Sequence, residues 1–436
     1  MNIPTVDLGR TREPAALGRF LRSPAVDPSA EELAANVLAK IRGGGDREVA
    51  RCMQVFNGAR LTPRQFRVAD AEIARAGSQV DAAFRRAVAD VLRRVRRFAR
   101  AGLRPDWEIR APRGGRLGER FVPLDRVGVY VPGGASPLAS TVLMTVPLAA
   151  VAGVKEIVAS TPCGADGRVD PHILHALREA GATEVLRLGG IQAIGAMAYG
   201  TETIRRVDKI VGPGGPYVTA AKRLVYGTVA LDMVAGPSEV AVLADGTAKA
   251  GVVAADLLSQ AEHGTGHERT LLVTTSVRLA AATRVELVRQ SADLPRRERV
   301  RTVLTDRTWI VVVPDLARGV EVINRFAPEH LEILTRAPRR LLAGIRCAGA
   351  VFLGPYTPES AGDFAAGPSH VLPTGGTARF FAGLTVEDFR RRMSVMELTR
   401  DDLAEMLPAI EAFARVESLP AHARSARARV AAETGT

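Results

Sequence analysis

Cysteine is scarce in this 436-residue chain: only Cys52, Cys163 and Cys347, far apart and odd in number. They form no disulfide framework and lack the paired spacing of a thiolate zinc site, so a reducing compartment is expected. Long apolar runs are missing too. The longest, Thr141 to Val154, is broken by Thr, Pro and Gly and falls short of the roughly 20 residues of a membrane span. The opening Met1-Asn-Ile-Pro-Thr-Val-Asp7 lacks the basic-then-apolar order of a signal peptide. A cytoplasmic protein, not embedded in a membrane, is the expectation. Lysine is rare: five of the 59 basic residues, so the net charge of +12 rests on scattered arginine. The densest run, Arg93-Arg94-Val-Arg96-Arg97-Phe-Ala-Arg100, reads as a solvated helix face. No aromatic platform or recognition motif accompanies it, so no nucleic-acid partner is expected. A strict G-x-G-x-x-G, a Walker A sequence and H-E-x-x-H are all absent.

What is present is an ordinary globular balance, 47% hydrophobic and 24% charged, which buries a core without staples. The length suggests about two to four domains. Residues 1–125 read as helical, with apolar spacing over Ala30–Ile41, Pro63–Ala76 and Val80–Arg100 and a break at Gly43-Gly44-Gly45. From Arg126, short β-branched runs alternate with helical segments. Strands are predicted at Val127–Val131, Glu156–Ser160, Glu184–Leu188 and Val207–Val211, with helices at Thr141–Ala152, Asp170–Ala180, Ile191–Tyr199 and Tyr217–Val225. A second series has strands at Glu239–Leu243, Thr270–Thr274, Trp309–Val313 and Ala350–Leu353 and a helix at Thr247–Ala261. The fold class is therefore α/β, two consecutive Rossmann-like lobes with parallel sheets plus helical N- and C-terminal segments. The expected divisions are 1–125, partly packed on the second lobe, then 126–236, 237–388 and a helical tail 389–436.

Three glycine-rich turns, Val131-Pro-Gly133-Gly134, Gly189-Gly190 and Gly212-Pro-Gly214-Gly215, follow predicted strands and precede helices. Each is either plain strand-to-helix geometry or a place where backbone amides meet a phosphate; three in one lobe favour a nucleotide crevice. Of seven histidines, His263, His267, His330, His370 and His422 crowd the second half. Taken one by one, each is most simply a satisfied loop residue. Gln260 and His263, three apart, share one helix face and can offer an amide oxygen and an imidazole to one cation, with Asp363 adding a carboxylate. Glu329 and His330 place an acid beside an imidazole after Pro328. Adjacent side chains diverge, so they act on opposite sides of a substrate, or else they mark a helix terminus.

Together these stretches resemble the histidinol dehydrogenase family, zinc- and NAD-dependent enzymes of the last two steps of histidine biosynthesis. The matching blocks are Gly128-Val-Tyr130-Val-Pro-Gly-Gly134, Gly189-Gly-Ile-Gln192, Val207-Asp-Lys-Ile-Val-Gly-Pro-Gly214, Ala235-Gly-Pro-Ser238 and Asp256-Leu-Leu-Ser-Gln260-Ala-Glu-His263. Further on come Ala327-Pro-Glu329-His330, Tyr356-Thr-Pro-Glu-Ser-Ala-Gly-Asp363, His370-Val-Leu-Pro-Thr374 and Glu417-Ser-Leu-Pro-Ala-His422. The resemblance implies an aldehyde dehydrogenase-like architecture, one Zn2+ per subunit and NAD. It implies Gln260, His263, Asp363 and His422 as zinc ligands and Glu329 and His330 as the acid–base pair. Ser238, Glu417 and His330 join the zinc ligands in touching L-histidinol; Tyr130 and Gln192 touch NAD; His370 supports the site from behind. Two positions depart from the family. Gly215 stands where the family has an NAD-contacting Asn, which costs about 1 kcal/mol of hydrogen bonding; Val234 replaces a Pro.

The implied course is alcohol to aldehyde to acid, with one NAD per step. His330 takes the hydroxyl proton, and Glu329 activates water. The family resemblance also implies a homodimer with shared active sites, Glu417 and His422 serving the neighbouring subunit, the first lobe as the NAD side and the second carrying zinc. The nearest rival is a zinc/NAD dehydrogenase of another primary alcohol, such as a sulfonated diol, against which the Glu417 carboxylate argues. A basic nucleic-acid-binding protein and a zinc hydrolase are rivals of other classes.

Overall fold

The computed structural model describes residues 1–22, 28–133, 136–234, 236–263 and 265–431; Gly134 and Ala235 of the blocks above lie outside them. Short β-branched runs buried on both faces build parallel sheets, and the chain does this twice. Strands β4 (Arg126–Tyr130), β5 (Glu156–Ser160), β6 (Glu184–Leu186), β7 (Lys209–Val211) and β8 (Ala230–Leu231) form one sheet in the order β6-β5-β4-β7-β8. Strands β9 (Glu239–Ala244), β10 (Arg269–Thr274), β11 (Thr308–Val312), β12 (His330–Leu334) and β13 (Ala350–Leu353) repeat that winding as β11-β10-β9-β12-β13. Strand β1 (Thr5–Asp7) adds to the outside of β11, and every pairing in both sheets is parallel. The expected duplication of α/β lobes is thus present in the topology.

The helices between Pro28 and Ala101 cover the first lobe, whereas Ala15–Phe20 buries Leu17 and Phe20 in the core of the second. Pro28–Asn57 lies on Gly190–Tyr199 and Pro216–Val225, Asp70–Gln79 on Pro171–Ala180, and Ala82–Ala101 on Val146–Ala152. A Cβ on Gly195 would sit about 3.0 Å from Ile41 Cδ1 and 3.1 Å from Leu38 Cδ2, so glycine lets these helices approach without either side chain giving way. The Gly43–Gly45 break appears as a kink: Gly45 takes φ 52°, and the next amide, of Asp46, donates to Glu202 at 2.7 Å.

Four expectations change, one being that the helix predicted over Pro63–Ala76 is a 3-10 turn at Pro63–Gln65 followed by a helix only from Asp70. The terminal segments are not all helical: β2 (Trp107–Arg110), β3 (Arg116–Pro123) and β14 (Arg390–Glu397) form an antiparallel sheet in the order β14-β3-β2. It has little buried surface, so no inside–outside alternation marks it in the sequence. Strand β12 was not expected either. All five of its residues are buried, and the Glu332 in its middle masks the apolar run. Thr141–Ala152 is two short helices, Ala139–Leu143 and Val146–Ala152, with Pro147 in the first turn of the second.

The C-terminal helices Arg400–Val416 and Pro420–Ala431 pack on each other. Asp402, capping the first, accepts from the amides of Arg113 and Gly115 at 2.7 and 2.9 Å, tying the pair to the β2–β3 turn.

Candidate active site

The register sets out the site. Arg269 pairs with Glu239 and His330 with Val240, so the amino ends of β9, β10 and β12 lie side by side. A helix following a parallel strand returns its C-terminus to that same edge. Gln260, near the end of helix Ala250–Ala261, which packs on β9, therefore returns to that amino edge. The chemistry of the second lobe gathers at the amino edge of its sheet, whereas open α/β sheets usually bind ligands at the carboxyl edge.

His330 is 3% exposed, and its Nδ1 lies 3.1 Å from the carbonyl oxygen of Glu239. A carbonyl only accepts, so Nδ1 carries a proton, and Nε2 is the nitrogen left to exchange one with a ligand. Nε2 takes no hydrogen bond among the described residues and lies 3.3 Å from Asp363 Oδ1. Glu329 Oε2 accepts the Glu239 amide at 2.9 Å and lies 3.7 Å from His330 Nδ1. The expected divergence of the pair is therefore corrected, because one residue's backbone holds both side chains on the same side. Burial pushes the Glu329 carboxyl up to about 8, although His330 opposes it. Burial pulls the His330 imidazole down, and the carboxylates of Glu329, Glu359 and Asp363 more than reverse this, to about 10.

Gln260 is fully buried, yet its Oε1 has no partner among the described residues. Its Nε2 lies 3.1 Å from Nδ1 of His263, so the predicted i, i+3 pair does converge. Asp363 sits in helix Glu359–Phe364, and its carbonyl accepts from His370 Nδ1 at 3.0 Å. Gly362 places that helix: a Cβ there would come within 2.5 Å of the Phe352 ring on β13. Ser238 stands at the amino end of β9. Glu359, which sequence reading passed over, joins His330 and Asp363 in a group whose ligand atoms lie within 4.8 Å of one another. Its signal was present, a glutamate four residues before Asp363 and so on the same helix face. Glu417 and His422 are exposed on the C-terminal helix pair, and neither joins this buried cluster.

The first lobe carries a second concavity at its carboxyl edge, a cavity of about 1180 Å³ lined by Tyr130, Gly133, Thr161, Pro162, Arg187 and Gly190 among others. Tyr130 ends β4, and its hydroxyl accepts the Gly190 amide at 3.0 Å. Gln192 is 1% exposed and donates to Asn57 at 2.8 Å, while its Oε1 is unpartnered among the described residues. The Gly212 turn is held on both sides: its amide donates to Asp232 at 2.7 Å, and its carbonyl accepts from Lys222 at 2.8 Å. Gly215 caps helix Pro216–Val225 in an extended conformation, and a Cβ there would meet nothing within 4 Å.

Two Rossmann-like lobes, a buried imidazole–carboxylate centre and a large cavity at the carboxyl edge of the first sheet describe an α/β oxidoreductase. Comparison with known proteins narrows this. The family model for histidinol dehydrogenase matches residues 21–430. The chain is 47% identical to histidinol dehydrogenase of Heliobacterium mobile, over 91% of this chain and 92% of that one. It is 43% identical to the Bacillus subtilis enzyme, over 90% and 92%. The crystal structure of histidinol dehydrogenase from Elizabethkingia anophelis superimposes with a TM-score of 0.93 at 34% identity, covering 98% of each chain. The chain belongs to the histidinol dehydrogenase family.

Proposed function

We infer that this chain oxidises L-histidinol to L-histidine through the aldehyde, as the last two steps of histidine biosynthesis. The observation that carries the reading is the placing of His330, with Nδ1 committed to the Glu239 carbonyl and Nε2 left without a hydrogen-bond partner among the described residues. His330 Nε2 takes the substrate hydroxyl proton in the alcohol step. Glu329 serves the aldehyde step, removing a proton from the attacking water; its raised carboxyl suits a base that works near neutral pH.

The donor set fits zinc. Gln260 offers a buried, unpartnered amide oxygen, His263 an imidazole and Asp363 a carboxylate, all of types zinc accepts. We assign Gln260, His263 and Asp363 of this chain, with His422, as the residues that hold it, and Ser238 and Glu417 as further substrate contacts. When bound, zinc is a template for the imidazole and amine of histidinol, and NAD is the hydride acceptor at each step. We assign Tyr130, which lines the first-lobe cavity, and Gln192 as NAD contacts, and the unpartnered Gln192 Oε1 supports the second assignment.

The same reading makes the active form a homodimer with shared sites. Phe413, Val416 and Leu419 are 67%, 78% and 41% exposed beside Glu417 and His422, an apolar surface suited to cover by a second copy. No helix among the described residues is long and apolar enough to cross a membrane. The free Cys52, Cys163 and Cys347 support work in the reducing cytoplasm. Following NADH from L-histidinol with purified protein tests the reaction. Two NADH per histidine are expected; one NADH, with aldehyde accumulating, would overturn the four-electron course.

A further inference from the structure

Glu359 is a buried carboxylate that the scheme above leaves without a task. It is 1% exposed and opens the helix that carries Asp363. Its amide donates to Glu332 Oε1 at 2.6 Å, and its Oε2 accepts from Ser259 Oγ at 2.9 Å. Both the backbone and one carboxylate oxygen are thus clamped. Oε1 takes no hydrogen bond among the described residues and lies 3.5 Å from His330 Nδ1. A buried carboxylate oxygen without a partner is costly, and one held on an imidazole nitrogen calls for a role.

We propose that Glu359 is a positioning residue for His330, holding the ring so that Nδ1 keeps its proton and Nε2 meets the substrate hydroxyl. Glu359 and Asp363 stand four residues apart on one helix and bracket the imidazole, the first at Nδ1 and the second at Nε2. Nδ1 therefore faces two acceptors, the Glu239 carbonyl at 3.1 Å and Glu359 Oε1 at 3.5 Å. Turning the ring over would put Cδ2, which carries no N–H, where Nδ1 now faces both. The Phe352 ring, with its centroid 6.0 Å from that of His330, closes another side. Carboxylates that orient a catalytic imidazole through its second nitrogen work in this way. Ser259 gives the arrangement a further consequence: it immediately precedes Gln260, so one helix end fixes both the positioning carboxylate and an assigned zinc ligand.

The inference rests on His330 being the base of the alcohol step, and the test separates the two. Glu359→Gln, Glu359→Ala, His330→Ala and the double variant His330→Ala/Glu359→Ala are compared as zinc-loaded proteins, with zinc content and thermal melting measured for each. Glu359→Gln should lower kcat for histidinol about tenfold and Glu359→Ala about a hundredfold, with KM within about twofold. Zinc content and oxidation of supplied histidinaldehyde should stay near wild type. The double variant should be no slower than His330→Ala, since the carboxylate acts only through the ring. Should Glu359→Ala not fold, Glu359→Gln and His330→Ala/Glu359→Gln carry the same comparison. Loss of zinc would make Glu359 a metal ligand and overturn the proposal, as would multiplicative losses in the double variant. Wild-type alcohol oxidation by His330→Ala would instead show that the base assignment itself is wrong.

Discussion

Glu239 holds both members of the acid–base pair with its backbone: its amide donates to Glu329 Oε2 at 2.9 Å, and its carbonyl accepts from His330 Nδ1 at 3.1 Å. Its own carboxylate turns away and pairs with Arg269 at 2.6 Å. Because main-chain groups of a central strand do the holding, the orientation of His330 is set by sheet register.

From that orientation, His330→Ala should slow oxidation of histidinol by about 10²–10⁴, the usual range for a general base. Glu329→Gln should mainly slow oxidation of supplied histidinaldehyde, since only that step needs an activated water. Single-turnover rates on both substrates check this. Equal losses in both variants on both substrates would remove the division of labour.

Exhaustive chelation should abolish turnover, and added zinc should restore it. Gln260→Ala should weaken zinc binding by about 10–100-fold in a competition titration, if its buried Oε1 is a ligand. Full activity in verified metal-free protein would exclude the assignment.

Gly215→Asn should tighten NAD binding by about 0.5–1.5 kcal/mol, the worth of one hydrogen bond. The site is sterically open and lies at a helix N-cap, where Asn is at least as good as Gly, so no loss of fold is expected. Unchanged NAD affinity by calorimetry would mean that another group already fills the role.

Mixing His330→Ala with His422→Ala after joint unfolding and refolding tests the shared site. With tails serving the partner, one site of each mixed dimer is intact, so about a quarter of wild-type activity should return. With tails serving their own subunit, every site keeps one defect and no activity returns, even when mass measurement confirms mixed dimers.

His175 is 6% exposed in helix Pro171–Ala180, and neither ring nitrogen has a hydrogen-bond partner among the described residues. Burial pulls its imidazole below the ordinary value; Glu179 opposes this, while Arg85, Arg178 and His172 reinforce it. The unfolded chain therefore binds the proton more readily, near pH 6.5. The stability contribution is complete above that pH and is lost as pH falls towards the depressed folded value. His175→Leu should flatten the fall in Tm between about pH 7 and 5. A slope equal to wild type in thermal melts would show that His175 does not titrate on unfolding.

The alternation of strands and helices after Arg126 was legible because each signal is local: β-branched runs, glycine turns and helical spacing act over a few neighbours. Gln260 with His263 was legible for the same reason, three residues apart on one helix face, and so was the Gly43–Gly45 kink. The exposed sheet of β2, β3 and β14 was not, since surface strands carry no burial pattern. Nor was β12, where Glu332 interrupts the apolar run that marks the other buried strands. Tertiary structure alone decided that Glu239 and Glu329, ninety positions apart, meet. It also turned Glu359, by sequence one glutamate among many, towards the Nδ1 face of His330. Such meetings follow from which strands become neighbours and in what register, and that is settled by burying two sheets between helices, a choice made by the whole chain.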